Sequence, residues 1–220
     1  MPRTARASRG GVCYHVMSRG NGRAVVFHDE TDYEDFTGLM RKANKRVPMR
    51  ILASCLMPNH FHLVLWPRGD DDLSRWMHWL LTSHVQRHRL RHGTTGRIWQ
   101  GRFKAPPLQQ DRHLLVVMRY VERNPLRAGL VDRAEDWRWS SLRARTLAPD
   151  GLIDPSPIPL GEDWCDQVNQ PLTEQELQAV RTCLRRGRPF GDPAWTRGTA
   201  ERFGLLDSLK PLGRPRAFEP

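Results

Sequence analysis

Cysteine, long apolar runs and acidic residues are all scarce in this sequence. The four cysteines lack the paired spacing of a metal site and are too few for a disulfide framework in a chain of 220 residues. The longest wholly apolar run, residues 114–118, is far shorter than a membrane span. The basic N-terminus lacks the apolar segment of a secretory signal. These absences predict a reduced, cytoplasmic protein.

Positive charge, by contrast, is plentiful. The chain has 35 Lys and Arg residues against 24 Asp and Glu residues, which gives a net charge of +11. A strongly basic chain most often binds a polyanion, and nucleic acid is the commonest one. A membrane surface is the alternative, but the basic residues are spread along the chain rather than concentrated on one amphipathic helix. We therefore expect nucleic acid, and no membrane, as the partner.

The apolar periodicity predicts the element order strand, helix, strand, strand, helix, strand. Strands are predicted at residues 14–18, 50–57, 60–66 and within 98–109, with one helix opened by a capping box of Thr31 and Glu34 and a long helix after Asp72. This order is that of the ferredoxin-like fold, an α+β class with an antiparallel sheet and helices on one face. A further helix is predicted at residues 112–123, ending before Pro125.

Composition also divides the chain into parts. Residues 1–147 hold the predicted α+β domain, the proline-rich residues 148–172 are predicted to form a linker, and residues 173–220 a small basic helical region with a flexible tail. A capping box of Thr173 and Glu176 begins the first helix of that region, and Gly187 ends it. A second short helix is predicted at residues 193–203.

Two histidines lie one residue apart on the predicted strand 60–66. Side chains alternate along a strand, so His60 and His62 share one face, while Phe61 shares the other with Leu63 and Leu65. The apolar face is expected to be buried, which leaves the histidines on a face that this core does not need. Two imidazoles at this spacing can chelate one metal ion; two half-exposed sheet histidines are the alternative.

Tyr120 and Asn124 are four residues apart, a spacing that aims two side chains of a helix at one point. Taken singly, Tyr120 could be a core tyrosine and Asn124 a helix cap. Taken with the histidine pair, they supply a nucleophile and a third ligand. Two imidazoles and one amide oxygen, with no thiolate, favour Mg²⁺ or Mn²⁺ with open positions over a closed zinc site.

Three segments carry a specific resemblance. They are Met-Pro-Asn-His-Phe-His-Leu-Val at residues 57–64, Arg-Tyr-Val-Glu-Arg-Asn-Pro-Leu-Arg-Ala-Gly-Leu-Val at residues 119–131, and Trp-Ser-Ser at residues 139–141. Together they resemble the single-tyrosine HUH transposases, above all the REP-associated branch of domesticated bacterial proteins. The resemblance extends over residues 12–145.

The resemblance implies a fold of the HUH endonuclease type and a chemistry. His60, His62 and Asn124 would bind the metal, and Tyr120 would be the nucleophile that forms a 5′-phosphotyrosine. The protein would then cut and join single-stranded DNA at hairpin-bearing repeats, as a nucleoid-associated monomer, with a dimer left open. The alternatives are a non-catalytic nucleic-acid-binding protein on the same fold, and a replication initiator, which usually carries further domains that 220 residues cannot hold.

Basic residues along the chain are candidate DNA contacts. Arg19 and Arg23 flank a loop that resembles the family's Arg-Gly-Asn-Asn-Arg, and Arg102 and Lys104 near Trp99 have the basic and aromatic mixture that binds single strands. A solvated strand face beside a core tryptophan is the equal alternative. The remaining candidates are Arg123 and Arg127 beside the tyrosine and Arg214 and Arg216 in the tail. Arg-Gly-Arg-Pro at residues 186–189 is interpreted as a helix stop rather than a minor-groove hook.

Overall fold

A computed structural model of the chain describes residues 8–210. The strands are β1 (Cys13–Arg19), β2 (Met49–Met57), β3 (His60–Pro67) and β4 (Pro107–Leu108), and the helices are α1 (Glu30–Arg46), α2 (Asp72–His92), α3 (Arg112–Glu122), α4 (Asn124–Arg127), α5 (Ser141–Thr146), α6 (Trp164–Asn169), α7 (Glu174–Arg186) and α8 (Pro193–Arg202). None of these helices combines the length and apolar character needed to span a bilayer. The predicted contacts of Arg214 and Arg216 lie outside the described residues.

The four strands form one antiparallel sheet in the order β2-β3-β1-β4. This is the ferredoxin-like order, so the predicted α+β class and element sequence are confirmed. In the register between β1 and β3, Arg19 lies opposite His60 and Met17 lies opposite His62. Directly paired residues point to the same face, so this register places the N-terminal strand's side chains beside the histidines.

The two faces of the sheet are covered by different helices. As predicted, α1 and α2 share one face, where Phe36 and Trp76 pack with Phe61. The opposite face is covered by α3, whose Val117 packs in a second apolar cluster with Val64. The expectation that the histidine face is not a core face is therefore wrong. Helix α3 packs over this face, where His62 is buried and His60 stays partly exposed.

Two predicted helix boundaries are corrected by the capping geometry. Helix α1 begins at Glu30 because the side chain of Asp29 accepts a hydrogen bond from the Asp32 backbone N–H, so the capping box of Thr31 and Glu34 is wrong. Helix α3 ends at Glu122, and Pro125 then occupies the first turn of a separate short helix, α4. Tyr120 and Asn124 are therefore on two successive helices.

The segment predicted as a linker is packed structure. It contains α6, whose Trp164 and Val168 are buried in the cluster under α3. Further upstream, the carboxylate of Asp154 accepts a hydrogen bond from the Ile51 backbone N–H of β2. The apolar residues among these prolines anchor the segment, since burial of their side chains outweighs the turn-forming composition. The domain boundaries at residues 147 and 173 remain a prediction.

The C-terminal helices agree with the sequence interpretation. Thr173 and Glu176 form the predicted capping box of α7. Gly187 ends that helix with a φ of 70°, a left-handed conformation that favours glycine. Arg186 is engaged locally, because its Nε donates to the carbonyl of Ser208 at 2.9 Å. The helix-stop interpretation of residues 186–189 is confirmed.

Candidate functional site

The predicted histidines and tyrosine come together on the face of the sheet that α3 covers. The rings of His60 and His62 are 5.2 Å apart, centroid to centroid, and nearly perpendicular. The ring of Tyr120 packs edge-on against His62 at 5.5 Å. His62 is 2% exposed and Tyr120 5% exposed. One chain alone therefore brings the histidine pair and the tyrosine into contact.

A third histidine, His15 of β1, belongs to the same group and was missed by sequence reasoning. Its Nε2 lies 2.9 Å from Nδ1 of His62, and its ring packs edge-on against Tyr120 at 5.8 Å. Alternation along β1 puts His15 on the same face as Arg19, and this is the part of its position that the sequence indicates. Which residue of β3 lies beside His15, however, depends on strand register rather than on local spacing.

The surroundings keep the three imidazoles neutral. Burial lowers the pKa of His15 to about 3. Burial, and then the charges of Arg19 and Arg127, lower the pKa of His60 to about 4. Burial first, and then the neighbouring histidines and the same two arginines, hold the pKa of His62 well below its usual value. Neutral imidazole is the form that binds metal ions.

Hydrogen bonds orient the two predicted ligands. The Asn59 amide donates from Nδ2 to the Arg23 carbonyl at 3.1 Å, which fixes its orientation. Its Oδ1 therefore accepts from Nδ1 of His60 at 2.7 Å, and Nε2 of His60 keeps a free lone pair. In the same way, donation from His62 Nδ1 to His15 would free Nε2 of His62. Asn59 and His15 are thus in the position of the outer partners that orient metal-binding histidines.

Asn124 is completely buried and only partly satisfied. Its Oδ1 accepts a hydrogen bond from Nη2 of Arg127 at 2.7 Å, and its Nδ2 has no hydrogen-bond partner within residues 8–210. An amide oxygen has two lone pairs, so one remains for a cation. Imidazole nitrogens from His60 and His62 and the spare lone pair of Asn124 are donor types that fit a divalent ion with open positions.

Arg127 occupies the centre of this arrangement. Besides its bond to Asn124, its guanidinium carbon lies 5.6 Å from the Tyr120 ring centroid. Its neighbour Arg123 has an Nη1 atom that is buried without a partner inside the described part of the chain. Burial, together with the charges of Arg119 and Arg127, lowers the pKa of Arg123. The unsatisfied nitrogen of Arg123 and the positive charge of Arg127 favour an anion at this place.

Two further predicted DNA contacts lie on the same face. Arg19 is paired with His60 across β1 and β3, and its Nε is buried without a partner among residues 8–210. Lys104 is paired with Met17 through two backbone hydrogen bonds. Burial, and then the charges of Arg19 and Arg185, lower the pKa of Lys104. Arg19 and Lys104 therefore extend the positive region from the histidines toward β4.

Arg102 and Trp99 are placed elsewhere. Arg102 lines a separate cavity beside α2 together with Arg89 and Arg97. Trp99 is 6% exposed and packs against Phe61 on the opposite face of the sheet. The interpretation of Trp99 as a base-stacking residue is wrong, because its ring is part of the core under α2.

The loop between β1 and α1 is held close to His60. Gly20 leaves no room for a side chain, since a Cβ there would lie 2.2 Å from the Ala24 carbonyl oxygen. The Gly20 backbone N–H donates to the Asn59 carbonyl at 2.8 Å. Arg23 is exposed and has a φ of 64°. The tight approach of loop and turn presents Arg23 to solvent near the histidine pair.

Comparison with known proteins identifies the family of this chain. Residues 9–124 match the sequence model of the family described as IS200-like transposases. The chain belongs to this family. It is 26% identical over 147 residues to the REP-associated tyrosine transposase of Escherichia coli K12, an alignment that covers 64% of this chain and 84% of that protein.

A second relative and a solved structure point the same way. A Haemophilus influenzae protein, provisionally given the same name, is 28% identical over 123 residues, covering 50% of this chain and 69% of its own length. The structure of a REP-associated tyrosine transposase bound to a REP hairpin covers 79% of this chain and 96% of its own, with a TM-score of 0.55 and 23% identity, and so shares its fold. The predicted family and its enzyme class, a single-tyrosine DNA transposase and endonuclease, are confirmed.

Proposed function

We propose that the protein is a metal-dependent single-strand DNA endonuclease and strand transferase that acts on hairpin-bearing repeats through a 5′-phosphotyrosine at Tyr120. The main support for this proposal is the contact of the Tyr120 ring with His62, beside His60, whose hydrogen bond to Asn59 leaves Nε2 free to bind a metal ion. The name of the hairpin-bound structure supports hairpin DNA as the substrate class. The contact within one chain supports a monomer that uses its own tyrosine, and DNA binding of this kind would place the protein on the nucleoid of a bacterial cell.

The reaction follows from the residues around Tyr120. Its phenolic oxygen attacks the phosphorus of a DNA phosphodiester, the bond to the 3′-oxygen breaks, and the phenolic proton leaves as the released 3′-hydroxyl gains one. The Arg127 guanidinium, 5.6 Å from the ring centroid, would place a positive charge near the reacting groups. A second 3′-hydroxyl can then attack the phosphotyrosine, which rejoins DNA and restores Tyr120.

His60, His62 and Asn124 would hold Mg²⁺ or Mn²⁺. When bound, such an ion supplies Lewis-acid stabilisation of the charge that develops on phosphate oxygens. Asn59 holds His60 in the tautomer required for binding, and His15 would do the same for His62 by accepting from its Nδ1. Asn124 is kept in place by Arg127 at 2.7 Å.

The cationic side chains account for DNA binding. Arg19, Lys104, Arg123 and Arg127 surround the site and are the proposed contacts for phosphates next to the cleaved bond, with Arg23 on the exposed loop. Arg19 and Arg123 each have a buried nitrogen with no partner among the residues that the structure describes, and phosphate oxygens would satisfy these nitrogens. Arg102 lies on the other side of the molecule and would contact only DNA that extends past the sheet edge.

The experiment is a covalent-adduct assay on a labelled single-stranded hairpin, with Mn²⁺ or with chelator. Wild-type protein should form a denaturation-resistant adduct with the DNA when Mn²⁺ is present and none when chelator is present. Tyr120→Phe should form no adduct in either condition while still binding the hairpin. Tyr33→Phe is the matched control, since Tyr33 is a core tyrosine stacked on Trp139. An adduct that persists in Tyr120→Phe would refute the assignment. Binding without adduct in the wild type would favour a non-catalytic DNA-binding protein.

A further inference from the structure

A second histidine cluster lies on the other side of the sheet. His88 and His92 are one turn apart on α2, and His28 precedes α1. The ring centroids of His28 and His92 are 4.7 Å apart and those of His88 and His92 are 4.6 Å apart. One nitrogen from each of the three rings lies within 4.8 Å of the others. Such a convergence joins a loop to a helix more than fifty residues away.

The hydrogen bonds of the cluster leave ligand nitrogens free. Nε2 of His92 donates to the Asp32 carboxylate at 2.9 Å, which leaves a lone pair on Nδ1. Nδ1 of His88 lies 3.2 Å from the Thr94 hydroxyl. His88 is 6% exposed, and its Nε2 is buried with no hydrogen-bond partner in the part of the chain that the structure describes. A buried polar atom of this kind requires a partner.

The carboxylates around the cluster favour a cation. Asp32 is 5% exposed and also accepts from the backbone N–H of His28 at 2.8 Å. Arg91 is 2.8 Å from Asp29 and 3.4 Å from Asp32, so one guanidinium faces two carboxylates. The pairing of His92 with Asp32 matches the carboxylate–histidine–metal arrangement of natural zinc sites.

We propose that His28, His88 and His92 bind one Zn²⁺ ion at a structural site. Three imidazoles suit zinc, and water or an Asp32 oxygen would complete four-coordination. Zinc–nitrogen bonds of about 2.0–2.1 Å require the ring nitrogens to approach to about 3.4 Å, so binding draws the three rings together. The ion would clamp residues 20–29, which include Arg23, to the end of α2. This inference is independent of the proposed DNA chemistry.

A buried water molecule is the competing occupant. Nδ1 of His84 is also buried without a partner inside residues 8–210, and a void of about 10 Å³ is lined by His84, His88, Asp32, Asp35, Arg87 and Arg91. A void of this size holds at most one water. A water molecule would form hydrogen bonds with His84 and His88 and would not require His28, whose side chain is exposed. Substitution of His28 therefore distinguishes the two occupants.

The experiment measures tightly bound metal on the full-length protein. Wild type, His28→Gln and His78→Gln are compared by zinc content against a chromogenic chelator and by the visible spectrum with Co²⁺. His78 is an exposed histidine of the same helix and serves as the control. The wild type and His78→Gln should bind one more equivalent of Zn²⁺ than His28→Gln, and only they should give the absorption of tetrahedral Co²⁺.

Thermal unfolding supplies a second measurement. Zn²⁺ should raise the melting temperature of wild type and His78→Gln, since a ligand that binds only the folded state stabilises it, and should raise that of His28→Gln less. His60 and His62 are present in all three proteins, so any zinc that they bind contributes equally to each zinc content and melting shift. Equal zinc content, Co²⁺ spectra and melting shifts in wild type and His28→Gln would overturn the proposal and leave a water in the void. The adduct assay measures the covalent bond between Tyr120 and DNA, so its result does not depend on whether this zinc site exists.

Discussion

The two histidine clusters differ in the charges that surround them. At the first, Arg19 and Arg127 lie close enough to lower the pKa of His60, and partly unsatisfied arginines line the site. At the second, three carboxylates, those of Asp29, Asp32 and Asp35, face two guanidinium groups, those of Arg87 and Arg91, so negative charge is in excess. A cation at the first cluster would lie among arginines and needs an anionic substrate to offset the local positive charge. At the second cluster, the carboxylates already offset the charge of a cation. The same side chain therefore suits a substrate-binding centre in one place and a structural ion in the other.

The largest expected effect separates the clusters by activity. His60→Ala removes a proposed ligand of the reactive centre, so cleavage of hairpin DNA should fall roughly 10²–10³-fold. His28→Ala should leave the cleavage rate within a few-fold, because its cluster lies on the far side of the sheet. Both are measured by single-turnover cleavage at saturating Mn²⁺. Equal losses in the two variants would remove the functional distinction.

A smaller effect is expected from His15, which contacts His62 rather than the DNA. His15→Leu should raise the Mn²⁺ concentration needed for half-maximal cleavage by roughly 10–100-fold, since it removes the partner that sets the His62 tautomer. His15→Gln retains a hydrogen-bond acceptor and should recover part of the loss. The measurement is a Mn²⁺ titration of cleavage with circular dichroism as a folding control. An unchanged titration for His15→Leu would show that His15 does not position His62.

The smallest effect is expected on DNA affinity, from two charged residues at the C-terminal end of the sequence, far along the chain from both clusters. Deleting residues 211–220 removes Arg214 and Arg216. If both contact phosphates of single-stranded DNA, the log–log salt dependence of affinity should become shallower by roughly 0.7 for each lost contact. Binding is measured by fluorescence anisotropy across a salt series, with the cleavage site mapped in parallel. The cut position should be unchanged, and an unaltered slope would show that the tail does not contact DNA.

The sequence alone was sufficient where a short-range period carries the information. The alternation along β3 predicted that His60 and His62 share a face, and the helical and strand periods predicted the ferredoxin-like order of elements. Capping chemistry was less reliable. The box of Thr173 and Glu176 was confirmed, whereas Asp29 displaced that of Thr31 and Glu34. Several side chains near a helix start can accept the same backbone N–H groups, and spacing does not choose among them.

Tertiary packing decided the rest. Which helix covers the histidine face, and hence the burial of His62, depends on how α3 docks, and a periodic pattern does not encode docking. The partnership of His15 with His62 depends on strand register, and that of His28 with α2 on a contact between distant segments. The sequence by itself determined the order of the sheet strands and of α1 and α2, the shared face of the histidine pair and the excess of positive charge. Only the tertiary structure decided which side chains contact each other, because those contacts join distant segments of the chain. Helical and strand periodicities relate only residues that are close in sequence.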